Sequence, residues 1–263
     1  METSTCLDLM LTSSDDGSGL ALLPAASNDG APLAGRTTEL PLRSDLQVAT
    51  KQSAQFGAGG DFFEVFQNAD GRVSAVVADV CGNGAAAALV AARVRPFLHR
   101  SLVRGASPSQ VLEALNEGLL RDGPLERFVT AVAIRIDVAS GRAEVACAGH
   151  LGPFVRRGSG HVQTVERVMG VPLGLIEGEA YEQIELMLSP GDALVLVTDG
   201  ITDPLSTDGD PLGEDGLSRR LETAPFLTSG ICEALLADGV PNRDDATVLV
   251  LRLPEAAAVT IAA

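Results

Sequence analysis

Residues 61–80, DFFEVFQNADGRVSAVVADV, restrict the fold more than any other stretch: two strand-like runs rich in Phe and Val flank the turn NADG. A hairpin centred near Asp70 sets residues whose numbers sum to about 140 opposite one another. Asp61, at the start of the first strand, then faces Asp79, at the end of the second. Like charges across an antiparallel pair repel, so the placement is destabilising unless something offsets it. A divalent cation is the simplest compensation.

The same placement recurs. In GDALVLVTDGITD a buried-looking strand from Ala193 to Thr198 delivers Asp199 at its exit, and in NRDDATVLVLRL Asp244 and Asp245 precede a Val/Leu strand. The exit of one antiparallel strand and the entrance of its neighbour lie at the same end of a sheet, so these four positions can gather on one rim. An aspartate before glycine is ordinarily a turn former, and the weight here lies in the joint placement. All-oxygen ligands suit hard ions such as Mg²⁺ or Mn²⁺, whereas His99, His150 and His161 lack zinc-site spacing. His150 reads as a structural histidine with its ring nitrogens satisfied.

A chain of 263 residues, 46% hydrophobic, is enough for one generous domain with a tail. Residues 1–40 are rich in Ser, Gly, Asp, Ala and Pro without periodicity and are expected to form a mostly disordered tail. The domain is expected over 41–254, followed by a short tail over 255–263. No apolar run reaches membrane-spanning length and the N-terminus lacks a basic flank, so a cytoplasmic protein off the membrane is expected. Cys6, Cys81, Cys147 and Cys232 are scattered and read as free thiols, Cys81 as a buried, inert one. The formal charge of −16 argues against binding nucleic acid or acidic lipid. Ser107 and Pro108 suit a helix start, with Val111, Leu112, Leu115 and Leu119 on its core face. Pro96 is expected to kink or end the preceding helix, and the Arg pairs at 156–157 and 219–220 to lie on solvated faces.

GAGGDFFEVF, VVADVCGNGAAAALVAARVR, RFVTAVAIRID, ACAGHLGPFVRR, GVPLGL, LVLVTDGITD and RDDATVLVLRL follow one another in an order that resembles PPM-type (protein phosphatase 2C-like) serine/threonine phosphatases, specifically their bacterial SpoIIE-like branch. The resemblance covers about residues 40–253 and implies an α+β fold, a four-layer α/β/β/α sandwich with a central antiparallel β-sandwich. It implies two divalent metal ions, Mn²⁺ or Mg²⁺, and hydrolysis of phosphoserine or phosphothreonine by a metal-activated water. On the matching positions, Asp61, Asp79, the backbone carbonyl of Val80, Asp199 and Asp244 are the implied metal and catalytic set, with Asp245 a weaker candidate. Gly60 and Gly82 are read as serving backbone conformation. Cys81 stands where the eukaryotic motif has histidine, and Asn83 where the branch often has a basic residue or histidine. The implied substrate is a phosphorylated STAS-domain anti-sigma-factor antagonist, with control by a homodimer or an activating partner. A pseudophosphatase or docking module of the same fold, and a small-molecule phosphoesterase, are the competing readings.

Overall fold

A computed structural model describes residues 37–40, 42–53, 59–121, 127–165, 170–203, 212–236 and 244–255. The expected N-terminal tail up to residue 36 and the tail beyond 255 lie outside the described residues, as does Cys6.

The hairpin around NADG forms as β3 (Phe62–Gln67) and β4 (Val73–Val80). Its register pairs Phe62 with Ala78 and Gln67 with Val73, so Asp61 lies one step beyond the last pair, opposite Asp79. β5 (Val129–Asp137), β6 (Arg142–Ala148) and β9 (Gln183–Met187) extend this into a five-stranded antiparallel sheet of order β3-β4-β5-β6-β9. A second antiparallel sheet is built from β1 (Thr38–Glu39), β2 (Gln47–Ser53), β7 (Phe154–Arg156), β8 (Val162–Thr164), β10 (Ala193–Val197) and β11 (Ala246–Arg252), in the order β1-β2-β11-β10-β7-β8.

Period-two alternation explains how the sheets stack. On β4, Val73, Ala75 and Val77 point into a core shared with Leu194 and Leu196 of β10 and Leu249 and Leu251 of β11. The opposite row, Val76, Ala78 and Val80, packs against α1 (Gly84–Val103) and α2 (Pro108–Arg121). The outer row of the second sheet, Val195, Val197, Val248 and Val250, packs against α3 (Gly213–Thr223) and α4 (Thr228–Leu235). Helix, sheet, sheet and helix form the four layers expected.

α2 begins where Ser107 and Pro108 indicate. The Ser107 amide donates to the Gln110 side chain at 3.0 Å and the Gln110 amide to the Ser107 hydroxyl at 3.4 Å, a reciprocal cap. Val111, Leu112, Leu115 and Leu119 are buried as expected. α1 runs on through Pro96 rather than ending there. Residues 92 and 96 are both exposed, so water can serve the carbonyl that the proline leaves without a donor.

Arg156 also corrects the sequence reading. Only 3% exposed, it donates to the carbonyls of Leu221 and Ala224, each at 2.7 Å, and stacks over Phe226. It thereby adds a second donor to the Leu221 carbonyl, which also accepts from the Ala224 amide at 3.3 Å, and serves the Ala224 carbonyl just past the end of α3. Its neighbour Arg157 pairs with Asp192 at 2.8 Å, whereas Arg219 and Arg220 are exposed as expected.

Glu64, on the helix-facing row of β3, has its carboxyl pushed up to about 7 by burial, against the opposing pull of Arg95. The folded chain therefore holds a proton that the unfolded chain releases between about pH 4.5 and 7, and Glu64 costs stability as pH rises through that window. Glu64→Gln is expected to gain stability relative to wild type on going from pH 5 to pH 8, measured by urea unfolding at both values. An unchanged difference between the two proteins at the two pH values contradicts this.

Candidate metal centre

The two inner rows of the sandwich change from apolar to carboxylate at one rim. On β4 the inner series Val73, Ala75, Val77 continues to Asp79, and on β3 the series Val65, Phe63 continues outward to Asp61. From the facing sheet, the residue after β10 is Thr198 and the one before Val248 on β11 is Thr247. Both hydroxyls donate to the same Oδ2 of Asp61, at 2.6 and 2.9 Å. The Thr198 hydroxyl also accepts from the Thr247 amide at 2.9 Å. Asp61 thus ties the β3–β4 hairpin to the β10–β11 pair across the gap between the sheets, a role its position before an aromatic run does not announce.

Asp199 opens a single 3₁₀ turn, Asp199–Ile201, immediately after Thr198, and Asp244 lies just before β11. Asp79, Asp199 and Asp244 line one cleft of about 260 Å³ together with Cys81, Gly82, Phe128, Thr130, Gly149, His150 and Leu151. The rim therefore assembles from the β3–β4 hairpin and the β10–β11 strand pair in two facing sheets. Sequence reasoning brought the same ends together but could not assign them to separate sheets, because strand order within a sandwich is set by packing.

The electrostatics are those of carboxylates crowded together. Burial raises Asp79 to about 7, with Asp199, Asp244 and Asp245 adding to the rise. Asp61 is held well above the ordinary range, first by burial and then by Asp79 and Asp245, against the hydrogen bonds from the two threonines. Asp199 is raised by burial, Asp203 and Asp244. Among the described residues, lysine and arginine are absent from the cleft lining. Such a set of oxygen donors, short of positive charge, fits hard divalent cations. Among the described residues no three His, Cys, Asp or Glu side chains converge as a closed chelate. Mg²⁺ and its kin retain several waters and need few protein oxygens per ion, so an open rim of single carboxylates fits them.

Adjacent aspartates divide the work. Asp244 lines the cleft, whereas Asp245, 3% exposed, accepts from the Gly60 amide at 2.9 Å. Gly60 is required for close approach: a Cβ there would stand 2.8 Å from the Val80 carbonyl oxygen. Asp245→Ala is expected to cost about 2 kcal/mol of stability by stranding that buried amide. Asp244→Asn is expected to leave stability nearly unchanged and to impair cation binding. Thermal unfolding beside a Mn²⁺ titration of both variants checks the division, and the reverse pattern contradicts it.

His150 is satisfied at both ring nitrogens, as expected of a structural histidine. Nε2 donates to the Val197 carbonyl at 3.1 Å, which leaves Nδ1 to accept from the Thr130 hydroxyl at 2.8 Å. Burial pushes its pKa down to about 4, so it is a neutral link between β5 and β10 at neutral pH. Cys81 departs from expectation: it is partly exposed and lines the cleft, because it follows the last residue of β4 at the rim. Cys147 and Cys232 are buried free thiols.

A four-layer sandwich of two antiparallel sheets with an acidic rim defines the class, and comparison with known proteins gives the family. The family model for stage II sporulation protein E (SpoIIE) matches residues 69–254, and the chain belongs to this family. It is 26% identical to the phosphoserine phosphatase RsbP of Bacillus subtilis (strain 168) over 174 residues, which is 65% of this chain and 43% of that protein. The crystal structure of the RsbU and RsbW domains of Rv1364c from Mycobacterium tuberculosis superposes with a TM-score of 0.69 at 26% identity, over 80% of this chain and 62% of that one. A crystal structure of RsbX in complex with magnesium shares the fold at a TM-score of 0.65 and 17% identity, over 83% of this chain and 100% of that one. No helix among the described residues is long and apolar enough to cross a membrane.

Proposed function

We propose that the chain is a metal-dependent protein phosphatase that hydrolyses phosphoserine or phosphothreonine in a regulatory protein. Asp61, Asp79, Asp199, Asp244 and the Val80 carbonyl are the proposed metal-holding set, and Asp61, Asp79, Asp199 and Asp244 the proposed catalytic residues. The observation that carries the reading is the meeting of these aspartates at one rim, with no basic residue among the described residues lining the cleft. A phosphate ester is itself an anion and has no favourable way into such a cleft unless cations are present. The phosphoserine phosphatase RsbP and the magnesium-bound RsbX support the same reading by similarity.

Two divalent ions, Mn²⁺ or Mg²⁺, held by these residues would supply water activation and charge neutralisation for the phosphoryl group. The remaining work falls to the chain. Thr198 and Thr247 hold Asp61 in one orientation through its Oδ2. His150, neutral and doubly hydrogen-bonded, keeps Thr130 in place across from Asp79. Phe128 and Leu151 give the cleft an apolar lip against which the chain flanking a phosphorylated residue can rest.

The proposed substrate is a phosphorylated STAS-domain anti-sigma-factor antagonist, and the proposed setting is the cytoplasm. A substrate comparison tests this. The catalytic efficiency kcat/KM is expected to be at least tenfold higher for a phosphoserine STAS protein than for p-nitrophenyl phosphate, at saturating Mn²⁺. Equal or greater efficiency on the small ester contradicts the protein-substrate half and favours a small-molecule phosphoesterase.

A further inference from the structure

Arg127 immediately precedes Phe128 at the entrance to β5, and its Nη1 donates to the Cys81 carbonyl at 2.7 Å. The Cys81 amide donates in turn to the Phe128 carbonyl at 3.0 Å, carrying the β4–β5 ladder one step past its last strand pair. Cys81 is therefore held on both sides, its N–H by backbone and its C=O by a guanidinium. The guanidinium also lies on Gly82. A Cβ there would overlap Nη1 and stand 2.9 Å from Cζ, and Gly82 adopts φ +90°. A side chain at this position would both strain the backbone and displace the arginine.

The segment so held, Cys81–Asn83, joins Asp79 and Val80 to the first turn of α1 at Gly84. The Val80 carbonyl and the Cys81 N–H belong to one planar peptide, so the Cys81 N–H bond to the Phe128 carbonyl orients that carbonyl, and the Arg127 bond to the next peptide restrains Cys81 from rotating out of that bond. Cys81 and Gly82 line the same cleft as Asp79, Asp199 and Asp244. Here a charged donor meets a neutral carbonyl beside a cluster of carboxylates, which is a strong hydrogen bond at a point where the backbone would otherwise turn freely.

We propose that Arg127 is a positioning residue for the metal-holding rim: it clamps the Cys81–Gly82 peptide over Gly82 and so aims the Val80 carbonyl and the Asp79 carboxylate at a divalent ion. The inference rests on the reading of the rim as a metal site.

Calorimetric titration of Mn²⁺ into wild type, Arg127→Ala, Arg127→Lys, Gly82→Ala and the Arg127→Ala/Gly82→Ala double variant tests it, with metal-free melting curves and ester-hydrolysis kinetics recorded alongside. Loss of a group that orients a metal ligand characteristically weakens affinity by about 10- to 100-fold. Arg127→Ala and Gly82→Ala are each expected to weaken Mn²⁺ binding by about tenfold or more, with the double variant no worse than the weaker single. Arg127→Lys is expected to recover part of the loss, and KM at saturating Mn²⁺ to stay at the wild-type value. Wild-type Mn²⁺ affinity in a folded Arg127→Ala overturns the inference alone. So does a defect confined to a raised KM at saturating Mn²⁺, which assigns the guanidinium to the substrate. Failure of wild type to bind Mn²⁺ overturns the metal reading and this inference with it.

Discussion

Asp79→Asn is expected to lower metal-dependent hydrolysis by about 10³-fold while leaving the metal-free protein at least as stable as wild type. The two halves of this result have one cause. Asp79 ends the inner row of β4, where burial and the Asp199, Asp244 and Asp245 carboxylates raise it to about 7. Its charge is therefore unfavourable to the empty fold and useful only when a cation is present. Asparagine keeps the shape and an acceptor oxygen but removes the charge, which relieves the repulsion and withdraws the ligand together. Kinetics at saturating Mn²⁺ and a melting curve in chelator check both halves. Activity within tenfold of wild type contradicts the assignment, and a large loss of metal-free stability shows that Asp79 is needed for folding instead.

Mn²⁺ is expected to raise the melting temperature of wild type strongly and to do so less as the solution is acidified. A ligand present at a hundred times its dissociation constant stabilises the state it binds by about 2.7 kcal/mol. For a domain of this size that corresponds to roughly 5–10 °C. The cation must displace a proton wherever a rim carboxyl still carries one. With Asp79 at about 7 and Asp61 and Asp199 also raised, that competition grows as pH falls from 8 towards 5. Proton occupancy therefore opposes metal binding on the acid side, and the melting shift at a fixed Mn²⁺ concentration is expected to be smallest at pH 5. Thermal shift against Mn²⁺ at pH 5, 6.5 and 8 measures it. A shift independent of pH contradicts ligation by these carboxylates.

What could be read from the sequence was what alternation and turn chemistry determine locally. NADG set the hairpin register, and Phe62 pairs with Ala78 as the turn centre requires. Asp61, Asp79, Asp199 and Asp244 were legible because each interrupts a Val- or Phe-rich run at its end, where an apolar residue would otherwise continue the core. Arg156 was not, because an arginine pair carries no sign of which member lies over a helix terminus; Leu221 and Ala224 are more than sixty residues away in the chain. Thr198 and Thr247 read as ordinary strand residues, and only the facing of the two sheets brings both hydroxyls to Asp61. A threonine directly beside the aspartate in TDG and two after the DD of DDAT was the one available signal. Arg127 was hidden likewise: Gly82 announces a special backbone conformation, but the guanidinium that fills the space left by its missing side chain comes from the segment leading into β5. Local pattern thus located the acids, while the groups that orient them depend on strand neighbours and sheet packing.

Inorganic phosphate released from a phosphoserine protein, followed as Mn²⁺ is added to chelator-treated wild-type protein, tests the central claim most directly. Release is expected to be absent without metal, to rise and saturate with Mn²⁺, and to be abolished again by excess chelator. Release that proceeds at the same rate in chelator, or none at all in folded protein shown to have bound Mn²⁺, contradicts the account.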